Sequence, residues 1–180
     1  MQKIHKLSLI LRVFFQITFI AMPIMLIIFW LFAPFFYQNF HAFSGYYIPS
    51  GIEILHPLTW LNCLLGFMID LLPTAVSMTI VYFLIKLFKL YECGEIFTKQ
   101  NAKYIGNIAW TMLIGQVVGF IYEGLLSFAM TFNNPSGHRL SFFTFGTYDI
   151  YNILTAVMLI VISWVMVEGA KLNDEQKYTV

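Results

Sequence analysis

Two acidic side chains interrupt long apolar stretches of this sequence, and they are its strongest candidates for chemistry. Asp70 is the only charged residue in 58–85, and Glu123 is the only one in 104–132. Neither stretch contains Lys or Arg, so neither acid has a cationic partner there. Acids placed inside a bilayer are costly and often serve proton or ion transfer. Two interpretations follow: a proton or cation relay, or hydrogen bonds that hold helices together.

Each acid belongs to a stripe of polar and small residues at a spacing of four. The stripes contain Asn62, Gly66, Asp70 and Thr74, and then Asn107, Thr111, Gly115, Gly119, Glu123 and Ser127. Residues four apart stay on one side of a helix for several turns, and glycines at this spacing allow close helix crossings. We therefore infer that the second and third stretches press these polar and small faces inward, with Gly66, Gly115 and Gly119 as helix-packing positions. Asn62 and Thr74 would be hydrogen-bond partners for the acids.

The elements that must position these residues are membrane helices. Of the 180 residues, 59% are apolar and 11% are charged, whereas soluble domains are about 25% charged. This excludes a soluble globular domain, a disordered chain and a nucleic-acid binder with a basic face. A bilayer core requires about 20 apolar residues per helix, and four stretches provide or nearly provide them, at 13–36, 58–85, 104–132 and 150–167. The sequence predicts an all-α integral membrane protein, a four-helix transmembrane bundle forming one membrane domain over 1–180.

Basic residues are distributed unevenly around these stretches. Nine of the ten Lys and Arg residues lie in 1–12, 86–103 and 171–180, and only Arg139 lies in the opposite loops. The positive-inside rule therefore predicts that both termini are cytoplasmic.

Aromatic residues cluster near the predicted outer ends of the spans. The predicted belt at the outer boundary consists of Trp30, Tyr37, Trp60, Tyr148 and Tyr151. The outer loops are unusually apolar, and we expect Tyr46–Ile48 and Leu140–Phe143 to lie on the bundle or in the membrane interface.

A glycine-centred pattern follows the second and fourth stretches at an offset of 75 residues. Its members are Gly94, Phe97, Thr98 and Asn101 in the first copy, and Gly169, Leu172, Asn173 and Gln176 in the second. A glycine in the left-handed conformation ends a helix, and Thr98 or Asn173 can cap the next one. We expect a helix end at each copy and two tandem helical hairpins. Ordinary helix capping is the alternative explanation.

The same turns carry a resemblance to a known family. The turn Tyr91–Asn101 and the tail Glu168–Val180 are similar to those of the bacterial membrane family called domain of unknown function 2975. Tyr178 departs from the family's usual apolar residue. The resemblance implies a four-span protein of the bacterial inner membrane without established catalytic residues. It also implies a gene that often adjoins one for a small helix-turn-helix regulator.

The motifs that the sequence lacks narrow the function. It has no metal-ligand spacing, phosphate-binding loop or nucleophile elbow, so we expect no enzymatic activity, cofactor, metal or direct nucleic-acid binding. The leading hypothesis is a sensor or regulator whose cytoplasmic turn and tail bind a soluble partner such as a helix-turn-helix regulator. The residues assigned to that contact are Gly94, Phe97, Thr98, Asn101, Gly169, Leu172 and Glu175.

Two alternatives remain open. One is a small proton- or cation-coupled transporter or channel that uses Asp70 and Glu123. The other is a scaffold that pairs within the membrane through Gly115 and Gly119, which also leaves open a homo-oligomer.

Overall fold

Four long helices make up the described part of the chain. The computed structural model describes residues 2–39 and 58–178, with side chains at 4–35 and 58–172. The helices are α1 at Gln2–Asn39, α2 at Trp60–Glu92, α3 at Lys99–Thr131 and α4 at Thr147–Tyr178. These residues contain no β-strand, so the predicted all-α fold is confirmed. The loop segment Tyr46–Ile48 lies outside the described residues.

Each helix is long and apolar enough to cross a membrane. The candidate spans are Ile4–Phe35, Trp60–Glu92, Lys99–Thr131 and Thr147–Leu172. A helix of 33 residues, such as α2, is about 50 Å long, whereas the bilayer core is about 30 Å thick. The helices therefore extend beyond the apolar stretches that predict them and include flanking charged residues.

The contacts between helices form two compact units. The first consists of Met1–Ala21, Val76–Gln116 and Thr147–Val180, and the second of Met22–Ala75 and Val117–Gly146. Each unit takes segments from α1, α2 and α3.

The apolar core of the first unit lies where α2, α3 and α4 meet. Leu87, Ile105 and Ile108 are buried there, with Leu159 and Met166 of α4 packed against them. In a membrane such contacts stabilise the bundle through close packing, because lipid chains are as apolar as these side chains.

Small residues hold α4 against α3. Ala156, Ser163 and Ala170 are at most 7% exposed, and their spacing of seven keeps them on one helix face. The Ser163 hydroxyl donates to the Ala102 carbonyl oxygen at 2.8 Å. A Cβ atom at Gly106 would lie 2.9 Å from Ser163 Oγ. The two helices therefore approach closely at this point, a contact that the sequence analysis missed.

The amino-terminal half of α1 is attached to the end of α2. Arg12 Nε lies 3.1 Å from a carboxylate oxygen of Glu92, and the His5 ring nitrogen Nδ1 lies within hydrogen-bond distance, 2.8 Å, of the Glu92 carbonyl oxygen. Phe15 stacks on Phe88 with ring centroids 5.6 Å apart. This contact combines an ion pair, the capping of a helix terminus and aromatic packing.

The turn between α2 and α3 ends one helix and begins the next within a few residues. Gly94 has a φ of +81°. Its N–H donates to the Tyr91 carbonyl at 3.1 Å, and the next N–H donates to the Leu90 carbonyl at 3.0 Å, as in a Schellman motif. Thr98 Oγ1 then accepts from the Asn101 N–H at 3.2 Å. The predicted helix end at Gly94 and the predicted cap at Thr98 are both confirmed.

The second copy of the pattern does not end a helix. Helix α4 continues through Gly169 to Tyr178, and Gly169 is not among the glycines with positive φ. The prediction of a helix end at Gly169 was therefore wrong. Ala170 is buried against the unit, and Lys171 pairs with Glu168 at 2.9 Å. Leu172, Glu175 and Lys177 are good helix formers, and a single helical glycine costs only about 1 kcal/mol.

The two glycines predict opposite effects of the same substitution. A Cβ atom added at Gly94 or Gly169 would have no neighbour within 4 Å. The two positions therefore differ only in their backbone conformation. Gly94→Ala should destabilise the protein by about 1 kcal/mol because it strains a left-handed residue, whereas Gly169→Ala should stabilise α4 by about 0.5–1 kcal/mol. Unfolding of purified protein in detergent would measure both. Equal effects at the two positions would contradict the assigned backbone conformations.

Candidate functional site

Asp70 forms a buried hydrogen bond with a tryptophan of α1. Trp30 Nε1 donates to Asp70 Oδ2 at 2.8 Å, and the two residues are 7% and 6% exposed. Hydrocarbon offers no partner to either group, so each satisfies the other. Trp30 is therefore an inward-facing residue, and its assignment to the aromatic belt was wrong.

Gly66 provides the space that this bond requires. A Cβ atom at Gly66 would lie 1.9 Å from a ring carbon of Trp30. Gly66 precedes Asp70 by about one helical turn, so the indole rests on the backbone at Gly66 while its N–H reaches Asp70. Gly66 therefore allows a close helix contact, and the partner helix is α1. Thr74, the next member of the stripe, is half-buried.

Asn62 joins the beginning of α2 to the end of α3. It is 2% exposed, and its Nδ2 donates to the Ala129 carbonyl at 2.7 Å. Its Oδ1 accepts from the Thr59 N–H at 3.3 Å and from Asn133 Nδ2 at 2.6 Å. Thr59 and Asn62 form a reciprocal cap like a capping box. Asn62 therefore connects the backbone at the start of α2 to the backbone at the end of α3. Its amide group is used in these bonds and not in a bond to Asp70 or Glu123.

Glu123 binds the loop that connects α3 to α4. Its Oε2 accepts the Thr144 N–H at 2.8 Å and also bonds to the Thr144 hydroxyl. Ser127 Oγ accepts the Phe142 N–H at 2.8 Å, and Thr131 Oγ1 accepts the Leu140 N–H at 3.1 Å. We call residues 140–144 the strap, because three of its N–H groups bond to side chains of one helix.

The spacing of these bonds explains why the strap follows α3. The acceptors on α3 are four residues apart, about 6.0 Å along a helix axis, and the donors are two residues apart, about 6.6 Å in an extended chain. An extended segment running antiparallel to a helix therefore stays in register with a stripe at a spacing of four. Irregular backbone at membrane depth requires such partners for its N–H groups.

Aromatic packing completes the contact of the strap with α3. A Cβ atom at Gly124 would lie 2.2 Å from a ring carbon of Phe143, and Phe143 stacks on Phe120 at 4.9 Å between centroids. Ser141 Oγ donates to the Gly124 carbonyl at 3.1 Å. The prediction that Leu140–Phe143 lies on the bundle is confirmed.

The two stripes contact different elements along their length. Gly115 contacts α2, since its Cβ position lies 2.9 Å from Val76. Beyond it, Glu123 and Ser127 hold the strap instead. Gly119 has no described atom within 4 Å of its Cβ position, so its predicted role in helix packing is not observed. The stripe on α3 therefore provides hydrogen-bond acceptors for the strap in addition to a packing surface for α2.

The turn between α2 and α3 is built around a fully buried amide. Asn101 is 0% exposed, and its Nδ2 donates to the carbonyls of Glu95 and, at 2.8 Å, Ile96. These bonds fix the backbone on both sides of the turn, while the adjacent Phe97 side chain is 66% exposed. The turn is thus an ordered structure that displays a large aromatic residue.

The predicted tail residues are held by fewer described contacts than the α2–α3 turn. Leu172 is 59% exposed on α4, and Gly169 lies inside the same helix. The side chain of Glu175 lies outside the described residues.

The described residues contain no group of three His, Cys, Asp or Glu side chains that could hold a metal ion. The hydrogen bonds of Asp70 and Glu123 go to different elements, α1 and the strap. Both acids act as structural acceptors in these bonds.

The fold and these sites define an all-helical, multi-pass membrane protein. A family model described as protein of unknown function (DUF2975) matches residues 16–180, so the chain belongs to this family and the resemblance is confirmed. Comparisons with curated proteins and with solved structures gave no match.

Three residues in these contacts were missed in the sequence. Thr131 continues the α3 stripe by one more step of four, so its role was visible in the spacing. Ser163 was visible in the spacing of seven on α4. Trp30 had no such signal, because tryptophans near span ends are ordinarily interfacial.

Substitution of Gly66 tests the Trp30–Asp70 contact. Gly66→Ala should destabilise the protein by about 1–3 kcal/mol, because the new methyl group overlaps the indole and displaces its N–H from Asp70. Gly119→Ala, which meets open space, is the matched control and should cause no loss. Unfolding in detergent measures both. A Gly66→Ala protein as stable as the control would contradict the contact.

Removal of the Glu123 carboxylate tests the strap. In Glu123→Ala the Thr144 N–H loses its acceptor, so its hydrogen exchange should accelerate by roughly tenfold or more. Glu123→Gln keeps an acceptor oxygen and should change the exchange rate much less. Amide exchange followed by NMR in detergent resolves the residue. Unchanged exchange at Thr144 in Glu123→Ala would show that another group holds the strap.

Proposed function

We propose that this protein is a non-enzymatic membrane regulator whose α2–α3 turn docks a soluble cytoplasmic partner. The observation that carries the proposal is the combination of a rigid turn and an exposed aromatic side chain. Asn101 and Thr98 fix the backbone on both sides of Phe97, and Phe97 is 66% exposed. An aromatic residue displayed on an ordered backbone loses little entropy on binding and is a common anchor of protein interfaces.

The proposal places both termini and the α2–α3 turn in the cytoplasm. Nine of the ten basic residues lie in 1–12, 86–103 and 171–180, and such residues favour the cytoplasmic side. The resemblance to bacterial inner-membrane proteins supports the bacterial inner membrane as the location.

The proposed partner is a small helix-turn-helix regulator. Genes for such regulators often adjoin those of the family that the chain resembles, which implies a shared pathway. Membrane attachment of a regulator would change its access to DNA without any nucleic-acid contact by this chain. Leu172, also exposed, would provide a second apolar contact on the tail.

The alternative of a proton- or cation-coupled transporter has less support. It depends on Asp70 and Glu123, and the hydrogen bonds of these acids join helix to helix and helix to strap. A relay residue must exchange its partners during transport, and loss of these bonds would leave Trp30 and Thr144 without acceptors.

Binding between purified components tests the docking. The detergent-solubilised protein should bind the purified regulator encoded beside its gene, and Phe97→Ala should weaken the affinity about tenfold or more, since truncation of a central aromatic anchor costs more than about 1 kcal/mol. Trp110→Ala is the control, because Trp110 is also exposed (59%) but lies within the predicted membrane stretch of α3. Absence of binding by the unsubstituted protein, or equal losses in both variants, would contradict the proposal.

A further inference from the structure

A half-open cavity lies beside the Trp30–Asp70 pair. Its volume is about 210 Å³, and α1 and α2 form its walls. The lining side chains are all apolar: Ile27, Trp30 and Leu31 from α1, and Trp60, Cys63, Leu64 and Phe67 from α2.

The wall of the cavity is almost entirely apolar. The indole N–H of Trp30 is directed to Asp70, so Trp30 contributes only ring carbon atoms to the wall. Cys63 is 3% exposed, and a buried free thiol behaves as a small apolar group. The part of a ligand that enters the cavity must therefore be apolar.

The surroundings of the cavity determine which apolar molecule is available. Both helices that form it are long and apolar enough to span a membrane. Leu31 and Leu64 at its rim are each 56% exposed, so in the bilayer they face lipid. Apolar cavities of about 150 Å³ already exclude water and accept a molecule such as benzene. The cavity is thus large enough for hydrocarbon, and lipid chains are adjacent to it.

We propose that this cavity binds the hydrocarbon chain of a membrane lipid. The end of the chain or a bend within it packs against the ring of Trp30 and against Phe67. The occupant packs against the part of the Trp30 ring that lines the cavity, and so supports the bond from Trp30 to Asp70. This site is separate from the proposed docking turn, and either assignment can fail without the other.

Contact quenching of Trp30 fluorescence tests the proposal. A variant in which Trp60, Trp110 and Trp164 are replaced by Phe retains only Trp30. It is placed in nanodiscs of a phospholipid with or without bromine atoms on its chains. Although Trp30 is only 7% exposed, its emission should fall about twofold in the brominated lipid, because bromine quenches on contact. A variant that retains only Trp164, which is 67% exposed, shows the quenching of a lipid-facing residue.

Filling the cavity provides the matched control. Cys63→Phe occupies the space and should abolish most of the quenching of Trp30, whereas Cys63→Ala leaves the space and should preserve it. If Cys63→Phe does not fold, Leu64→Phe at the rim serves the same purpose. Emission of Trp30 that is unchanged by brominated lipid overturns the proposal. Quenching by added bromobenzene but not by brominated lipid also overturns it, because it identifies a site for a free lipophilic molecule.

Discussion

Inside a bilayer, a polar side chain must find its hydrogen-bond partner within the protein, because hydrocarbon provides none. The bond from Trp30 to Asp70 meets this requirement for two groups on different helices. It also determines the residue at position 66, since only glycine leaves room for the indole. This one hydrogen bond therefore explains why Asp70, Trp30 and Gly66 occur together. The Trp30 ring that it holds in place also forms part of the wall of the apolar cavity.

The same requirement explains the acceptors on α3. Glu123, Ser127 and Thr131 pair with alternate N–H groups of the strap, because four helical residues and two extended residues cover nearly the same length. The strap can therefore leave regular structure without leaving its N–H groups unsatisfied. A stripe of polar residues at a spacing of four, which elsewhere indicates helix pairing, here supports an extended segment.

The features that could be predicted from sequence depend on neighbouring residues. The apolar stretches predict four membrane helices, and Gly94 and Thr98 determine a helix end and a helix start by local backbone bonds. The features that were missed depend on partners distant in the chain. Trp30 and Asp70 are 40 residues apart, and nothing local reveals that they meet. Gly169 resembles Gly94 in its local pattern, yet burial of Ala170 and the residues that follow keep α4 helical.

The indole N–H of Trp30 provides the most direct measurement of the central claim. In protein labelled with ¹⁵N-tryptophan, hydrogen exchange at the four indole groups can be followed individually by NMR in nanodiscs. We predict that Asp70→Leu accelerates exchange at the Trp30 N–H, which donates to Asp70, and leaves the rates at Trp60, Trp110 and Trp164 unchanged. A Trp30 rate that does not respond to Asp70→Leu, or an equal acceleration at all four indole groups, would contradict the bond.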